Sequence, residues 1–277
     1  MKLTVISLFR DSEKFLDRLF KKLEAIEKDY EVEYFFYEND SKDDTRKLLT
    51  EWMEGRKGQF IYEDINTPSF GHVIDKARMD LMVRYRNKIL DTAKPLKSDY
   101  TLLIDSDIDF PNHIVKDYLP YFNNLHADLE NKNVVMCTPN IKQNINCVMG
   151  EPQKLSYYDS FALKDTKGSK GMLLSANPFW EKKDRALWKE KKPVKVNSAF
   201  GGVAMMKSDV LNEVEWATQG GCEHWMFCER VRNYGDIIVI PTIEVYTEVT
   251  PWTPDPRLTE MQQRLLADPW ARLAANL

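Results

Sequence analysis

Short apolar runs that end in polar clusters alternate along this chain with stripes at helical spacing. Leu3 to Phe9 reads as a buried strand stopping at Arg10-Asp11-Ser12. Ser12 is then placed to cap a helix through Ile26, whose Phe15, Leu16, Leu19, Phe20, Leu23 and Ile26 share one face. Val32 to Tyr37 predicts a second strand, followed by the polar run Glu38 to Thr45 and a helix carrying Leu48, Leu49 and Trp52. Phe60 to Glu63 predicts a short strand, and 67–72 a loop with Pro68 and Gly71. A helix over Ile74 to Ala93 buries Leu81, Met82, Ile89 and Leu90 and carries Arg78, Met82, Arg86 and Asn87 near one stripe. This βαβα order predicts an α/β fold with a doubly wound, mainly parallel sheet.

The second half is less regular. Tyr100 to Asp105 predicts a strand, Asn112 to Leu125 a helix and Val134 to Thr138 a strand. Residues 140–195 form a long irregular insertion, read as a smaller acceptor-side region with a mobile loop at Lys167 to Lys170. Val194 to Ala199 predicts a strand leading into the Gly201-Gly202 pair, and Ser208 starts a helix. Glu223 and His224 open another helix, with Ile237 to Ile240 and Ile243 to Thr247 as two further strands. The domain reading is 1–250 as one unit, then a 251–277 tail with a short helix near Leu258 to Leu266, stapled by Trp252 and Trp270.

Composition narrows the class. With 277 residues and 43% hydrophobic content the chain is long enough for one large α/β domain or a domain with an appendage. The net charge is −4, and the lysine clusters at 182–183 and 189–192 read as a solvated surface, which argues against nucleic acid as a partner. The N-terminal apolar run is too short for a secretory signal, and no stretch is long enough for a membrane span, so the expectation is a soluble, cytoplasmic protein. Cys137, Cys147, Cys222 and Cys228 form no C-x-x-C pair and read as reduced, buried thiols.

The chemistry concentrates at Y-T-L-L-I-D-S-D-I-D-F, residues 100–110. An apolar strand delivers Asp105, Asp107 and Asp109 at its carboxyl end, where α/β sheets bind ligands. Three carboxylates across a small gap repel one another unless a cation neutralises them, and hard oxygen ligands suit Mg²⁺ or Mn²⁺. The competing reading is a solvated acidic turn with a helix cap before Pro111. The first two strand ends bring Arg10 and Glu38-Asn39-Asp40 to the same edge, where nucleotide-binding α/β folds hold base and ribose. Asn39 also opens an N-D-S sequon, which is incidental if that loop lines a pocket. Arg78 and Arg86 are either paired to acids on a solvated helix face or aimed at phosphate. Gly201 and Gly202 permit close approach of backbone to a ligand, or make a tight bend.

Six segments in order resemble the GT-A glycosyltransferases, and more narrowly the fungal capsule-associated α-mannosyltransferase family and its relatives. They are Y-E-N-D-S-K-D-D-T (37–45), Arg78 with Arg86-Asn87, L-L-I-D-S-D-I (102–108), Y-Y-D-S-F-A-L-K-D (157–165), V-N-S-A-F-G-G-V (196–203) and C-E-H-W-M-F-C-E-R-V-R-N-Y-G (222–235). The resemblance implies a metal-dependent glycosyltransferase for hexosyl or pentosyl transfer. Its donor would be a UDP- or GDP-sugar, its acceptor a glycan, glycoprotein or other hydroxyl compound, and its metal Mn²⁺ or Mg²⁺. By position it sets Ser7, Arg10, Glu38, Asn39 and Asp40 around the nucleoside, with Arg78 and Arg86 ordering the pocket. It places Asp105 on ribose or metal, Asp107 on the metal, and Gly201 and Gly202 along the donor sugar. Glu223 is the catalytic candidate, as base in an inverting reaction or as a sugar-hydroxyl ligand in a retaining one, with His224 assisting. Many GT-A enzymes carry Glu-Asp at Glu223-His224 and a metal-binding His where this chain reads Tyr246-Thr247-Glu248, which leaves the third metal ligand open. The alternatives are a catalytically degenerate carbohydrate-binding GT-A protein and a phosphatase with an aspartyl nucleophile. A nucleotidyltransferase lacks its Gly-rich loop after the first strand.

Overall fold

A computed structural model describes residues 1–68, 76–123, 133–145, 154–173, 175–219 and 221–247. The first half comprises β1 (Lys2–Phe9), α1 (Glu13–Glu27), β2 (Glu31–Asn39), α2 (Thr45–Met53), β3 (Gly58–Glu63), α3 (Lys76–Ala93), β4 (Tyr100–Asp105) and β5 (Ile108–Asp109). The second comprises α4 (Ile114–Phe122), β6 (Val134–Ile145), β7 (Lys154–Tyr157), β8 (Lys164–Asp165), α5 (Lys182–Lys189), β9 (Val194–Ser198), β10 (Val203–Lys207), α6 (Ser208–Glu213), α7 (Glu223–Val231) and β11 (Asp236–Thr247). Cys147, Glu248, Trp252, Trp270 and the expected tail helix lie outside the described residues.

One sheet carries the fold, in the order β3-β2-β1-β4-β10-β6-β11-β9-β8, with β5 paired to β11 and β7 to β6. β3, β2, β1 and β4 are all parallel. β10 enters antiparallel beside β4, and β6 and β11 pair in parallel again. The chain winds outward from β1 through β2 to β3, then returns to place β4 on the other side of β1. That reversal opens a crevice beyond the carboxyl ends of β1 and β4, where Arg10 and Asp105 emerge.

The strands are fixed by burial on both faces. Leu102, Leu103 and Ile104 of β4 are at most 2% exposed, and Leu3 and Val5 of β1 are as deep. Each such side chain contributes about 1.5–3 kcal/mol on burial. α1 packs Leu16, Leu19, Leu23 and Ile26 on the sheet, as its spacing predicts. Ser12 precedes α1, yet its hydroxyl makes no capping bond. It donates to the Arg10 carbonyl and pairs with the Ser106 hydroxyl at 2.9 Å, tying the β1 and β4 ends together.

The structure differs from the sequence expectation mainly between 140 and 195. β6 runs on to Ile145, and β7, β8 and α5 give this region regular structure. The stretch expected to be a mobile loop is a hydrogen-bonded turn: Asp165 Oδ1 accepts from the Lys167 and Ser169 amides, and the Asp165 carbonyl accepts from Gly168. The two strands expected near the end are one strand, β11, whose pairing shifts register between Ile240 and Glu244. A proline at 241, lacking an N–H, falls inside that irregularity. The cysteines at 137, 222 and 228 are buried free thiols. No helix among the described residues is long and apolar enough to cross a membrane.

Candidate active site

A cleft of about 580 Å³ occupies the crevice. Eight of the thirteen residues singled out from sequence line it: Arg10, Arg78, Arg86, Asp105, Asp107, Gly202, Glu223 and His224. The position after β1 supplies Arg10, β4 and the following turn supply the two acids, α3 supplies the other arginines, and the first turn of α7 supplies Glu223 and His224.

Arg86 is the electrostatic centre. It is 7% exposed, with Nη2 3.6 Å from Asp105 Oδ1 and Nε 3.8 Å from Glu223 Oε1. Its guanidinium lies over the rings of Phe200 and Trp216, at 5.1 and 5.8 Å. Asn87, the next residue, grips the Trp216 backbone from both sides: Nδ2 donates to its carbonyl at 2.9 Å, and Oδ1 accepts from its amide at 2.8 Å. The predicted α3 stripe therefore divides: Arg78, Met82 and Arg86 face the cleft, and Asn87 fixes the aromatic floor on which Arg86 rests.

Burial raises the Asp105 carboxyl to about 6; Arg86 pulls it down, and Asp107 and Glu223 push it up as neighbouring negative charges. Burial also pushes Glu223 up, but the fixed positive charge of Arg86 beside it opposes this, and its carboxyl lies below the usual range. Its place in the first turn of α7 favours the charged form as well. Burial drives His224 down to about 3, so its imidazole is neutral. The ring stacks on Phe200 at 4.3 Å, with Nε2 3.5 Å from Glu223 Oε1. Arg86 Nε and His224 Nδ1 are buried without a hydrogen-bond partner among the described residues. Orphaned polar atoms in a cleft are where water or ligand completes the set.

The expected three-acid cluster is a pair. β5 swings Asp109 away to pair with Tyr246 of β11 and to meet Lys22 at 3.1 Å. No group of three His, Cys, Asp or Glu able to hold a metal ion occurs among the described residues. Two carboxylates suit Mg²⁺ or Mn²⁺, which take one or two protein carboxylates and complete their shell with phosphate oxygens and water.

The remaining five residues lie behind the walls. Ser7 donates to the Ile104 carbonyl at 2.7 Å, a buried link between β1 and β4. Glu38 is fully buried, accepting from Arg46 Nε at 2.6 Å and the Ser41 amide at 2.7 Å. Asn39 is buried against Asp40 and Thr67, which closes its sequon to modification. Asp40 sits at φ 55° and clamps the following loop: Oδ1 accepts from the Ile65 and Asn66 amides, Oδ2 from the Thr67 amide and hydroxyl. Burial alone would raise its carboxyl, but those donors and Asn39 hold it far below the usual range. Arg10 donates to the Thr67 hydroxyl and carbonyl, so this network props one wall of the cleft. Gly201 and Gly202 make a tight bend at φ 69° and 70°. A Cβ on Gly202 would lie 2.5 Å from Ile108, and one on Gly201 2.9 Å from Pro139, so protein occupies the space that glycine leaves open.

The sequence reading passed over Asp159. Its Oδ2 accepts from the Gly201 amide at 2.8 Å, which joins the Tyr157 to Phe161 turn to the glycine bend at the cleft wall. Burial raises its carboxyl to about 7. The signal was a lone acid in the aromatic run Tyr157-Tyr158-Asp159-Ser160-Phe161, although nothing in the run reveals its partner forty-two residues away.

Comparison with known proteins bears on the fold and the family. No curated protein matches the chain. Among solved structures, TarS of S. aureus superposes with a TM-score of 0.51 at 18% identity, over 91% of this chain and 37% of that one. Residues 1–349 of TarS in complex with UDP give a TM-score of 0.50 at 18% identity, over 91% and 61%. The mannosyltransferase PcManGT from Pyrobaculum calidifontis, in complex with GDP-Man and Mn²⁺, gives 0.50 at 14% identity, over 90% and 57%. The chain thus spans less than two thirds of the length of these structures, and at such identities the likeness is one of fold. The family described as Cryptococcal mannosyltransferase 1 matches residues 3–232. By that match, covering most of its length, the chain belongs to the Cryptococcal mannosyltransferase 1 family and has the GT-A glycosyltransferase fold.

Proposed function

We propose that the protein transfers a sugar from a nucleoside-diphosphate sugar to a hydroxyl of a glycan acceptor, with Mn²⁺ or Mg²⁺ held by Asp105 and Asp107. The observation that carries this reading is Asp105 at the end of β4, beside the buried Arg86, with Asp107 lining the same cleft at the switch point of the sheet. The family description favours mannose as the sugar. The complexes of similar fold with UDP, and with GDP-Man and Mn²⁺, support a donor of this chemical class. When bound, the cation would supply Lewis-acid stabilisation of the departing diphosphate.

The chain's own groups have separable tasks in this reading. Arg10, Arg78 and Arg86 line the cleft and offer fixed positive charge to phosphate oxygens at low reorganisation cost. Arg86 also keeps Glu223 ionised, which suits Glu223 to accept hydrogen bonds from sugar hydroxyls better than to take a proton. His224 is a neutral positioning residue, wedged between Phe200 and Glu223. The glycine bend shapes the cleft wall, held in place by Asp159. Asn39 and Asp40 act on the nucleoside through the loop they brace and through Arg10.

Thermal stabilisation and calorimetry with UDP, GDP and their sugars, each with and without Mn²⁺, test this proposal. A metal-dependent shift for one nucleotide supports it, because a ligand that binds only the folded chain raises apparent stability. Absence of any shift would reject it.

A further inference from the structure

Behind the first turn of α7 lies a second cleft, of about 380 Å³, lined by Lys164, Asn197, Trp225, Glu229 and Arg232 among others. Cys222 borders both clefts, and the wall between them is aromatic. Phe161 faces the first cleft and Trp225 the second, their rings 5.4 Å apart. The Trp225 indole N–H donates to the Phe161 carbonyl at 2.9 Å, which fixes the ring. Over this ridge stand two ammonium groups: Lys164 Nζ is 3.8 Å from the Trp225 ring centre, and Lys170 Nζ is 4.9 Å from Trp225 and 5.9 Å from Phe161. Arg232 adds a third cation, oriented by Asn197 at 3.0 Å. A cation held over a ring is positioned without using its N–H donors on a carboxylate, so those donors stay available to an anion.

The wider charge pattern points the same way. Residues 164–195 carry ten Lys and Arg against four Asp and Glu, a net +6, while the other residues together carry −10. Part of this charge is paired within the fold, Lys167 with Glu181 and Lys195 with Asp236, while Lys164 and Lys170 hold their ammonium groups over aromatic rings.

We propose that this ridge and second cleft bind the body of the acceptor, and that the acceptor is a polyanionic glycan bearing carboxylate or phosphodiester groups. Its negative groups sit on Lys164, Lys170 and Arg232 while its reacting hydroxyl reaches the first cleft. The inference rests on the glycosyltransferase reading for the identity of the first cleft.

The test is calorimetric titration of the whole chain with oligogalacturonate, poly(glycerol phosphate), a neutral dextran oligosaccharide of equal length and single-stranded DNA. Nucleoside-diphosphate binding is measured in parallel. Binding of an anionic glycan at least tenfold tighter than dextran, weakened at high salt, is expected, and the better of the two names carboxylate or phosphodiester as the source. The double variant Lys164→Glu with Lys170→Glu is expected to lose that preference and to keep nucleotide affinity. Lys164→Gln with Lys170→Gln is the fold-neutral companion, expected to weaken anionic glycan binding several-fold at unchanged melting temperature. Equal binding of dextran and the anionic glycans, equal or tighter binding of DNA, or indifference to both variants overturns the proposal. Loss of nucleotide binding in the unaltered chain, with lysine-dependent glycan binding intact, would remove the transferase reading and leave this surface standing.

Discussion

Replacing Arg86 by Met tests the electrostatic core of the site, because one buried cation there faces two carboxylates. Arg86 lies 3.6 Å from Asp105 and 3.8 Å from Glu223, with its own side chain and that of Glu223 less than 10% exposed. At such separations each attraction is about 4 kcal/mol for an effective dielectric of 20. Burying the guanidinium offsets a large part of this, and removing one partner of a buried pair costs about 3–5 kcal/mol net. Asp105 is 37% exposed to the cleft, so its share is screened, and the lower end, about 3 kcal/mol, is expected. For a chain of this length that lowers the melting temperature by roughly 10 °C. The assay is a double-mutant cycle by urea denaturation, with Arg86→Met made alone and on a Glu223→Gln background. With the Glu223 charge gone, the loss is expected to shrink by at least about 1 kcal/mol, since groups in contact are coupled. Equal losses in the two backgrounds would show that Arg86 does not compensate Glu223, and the account of the site's electrostatics would fall.

Other substitutions separate chemistry from architecture. Asp107→Asn is expected to cut transfer at least about 100-fold, with a melting temperature within about 2 °C of the unaltered protein; the check is turnover beside a thermal scan. Gly202→Ala forces a Cβ at φ 70° to within 2.5 Å of Ile108, and a loss of about 2–3 kcal/mol is expected by denaturant titration. Asp159 gives a pH signature. Its folded value near 7 lies above the unfolded value near 4, so its stabilising contribution is complete below pH 4 and lost as pH rises through 7. The stability of the natural protein relative to Asp159→Asn should therefore fall between pH 4 and 8, and a flat difference across that range would contradict the assignment. Asp40→Ala removes the acceptor of four donors in the 65–67 loop and is expected to weaken nucleotide binding about tenfold by loosening Arg10, as read by calorimetry.

The parallel half of the fold was legible because each element there answers to one period. Leu3 to Phe9 is apolar but for Thr4 and Ser7, Leu102 to Ile104 is a continuous apolar run, and α1 shows a clean helical stripe. The acids of β4 were readable too, since an apolar run that stops at Asp105 can only present that residue at a strand end. What stayed hidden depends on contacts distant in sequence. Asp109 looked equivalent to Asp105 and Asp107 until its strand paired with β11 and carried it to Lys22. Glu38 and Asp40 looked like ligands because polar residues at a strand end usually are, yet their lone pairs are taken by Arg46, Ser41 and residues 65–67. The glycine pair reads from sequence as ligand approach or as a bend, and its neighbours Pro139 and Ile108 are distant in sequence. In the 140–195 region the strands are short and charged, so alternation is broken and their pairing partners, not their own pattern, define them.

The most direct test of the central claim is calorimetric titration of GDP and of UDP, with and without Mn²⁺, into the natural protein and into Asp107→Asn. The account predicts that one nucleotide binds natural protein at least about tenfold tighter with Mn²⁺, and that this gain disappears in the folded variant. An equal gain in both proteins would move the metal away from Asp107. No binding of either nucleotide under any condition would contradict the account itself.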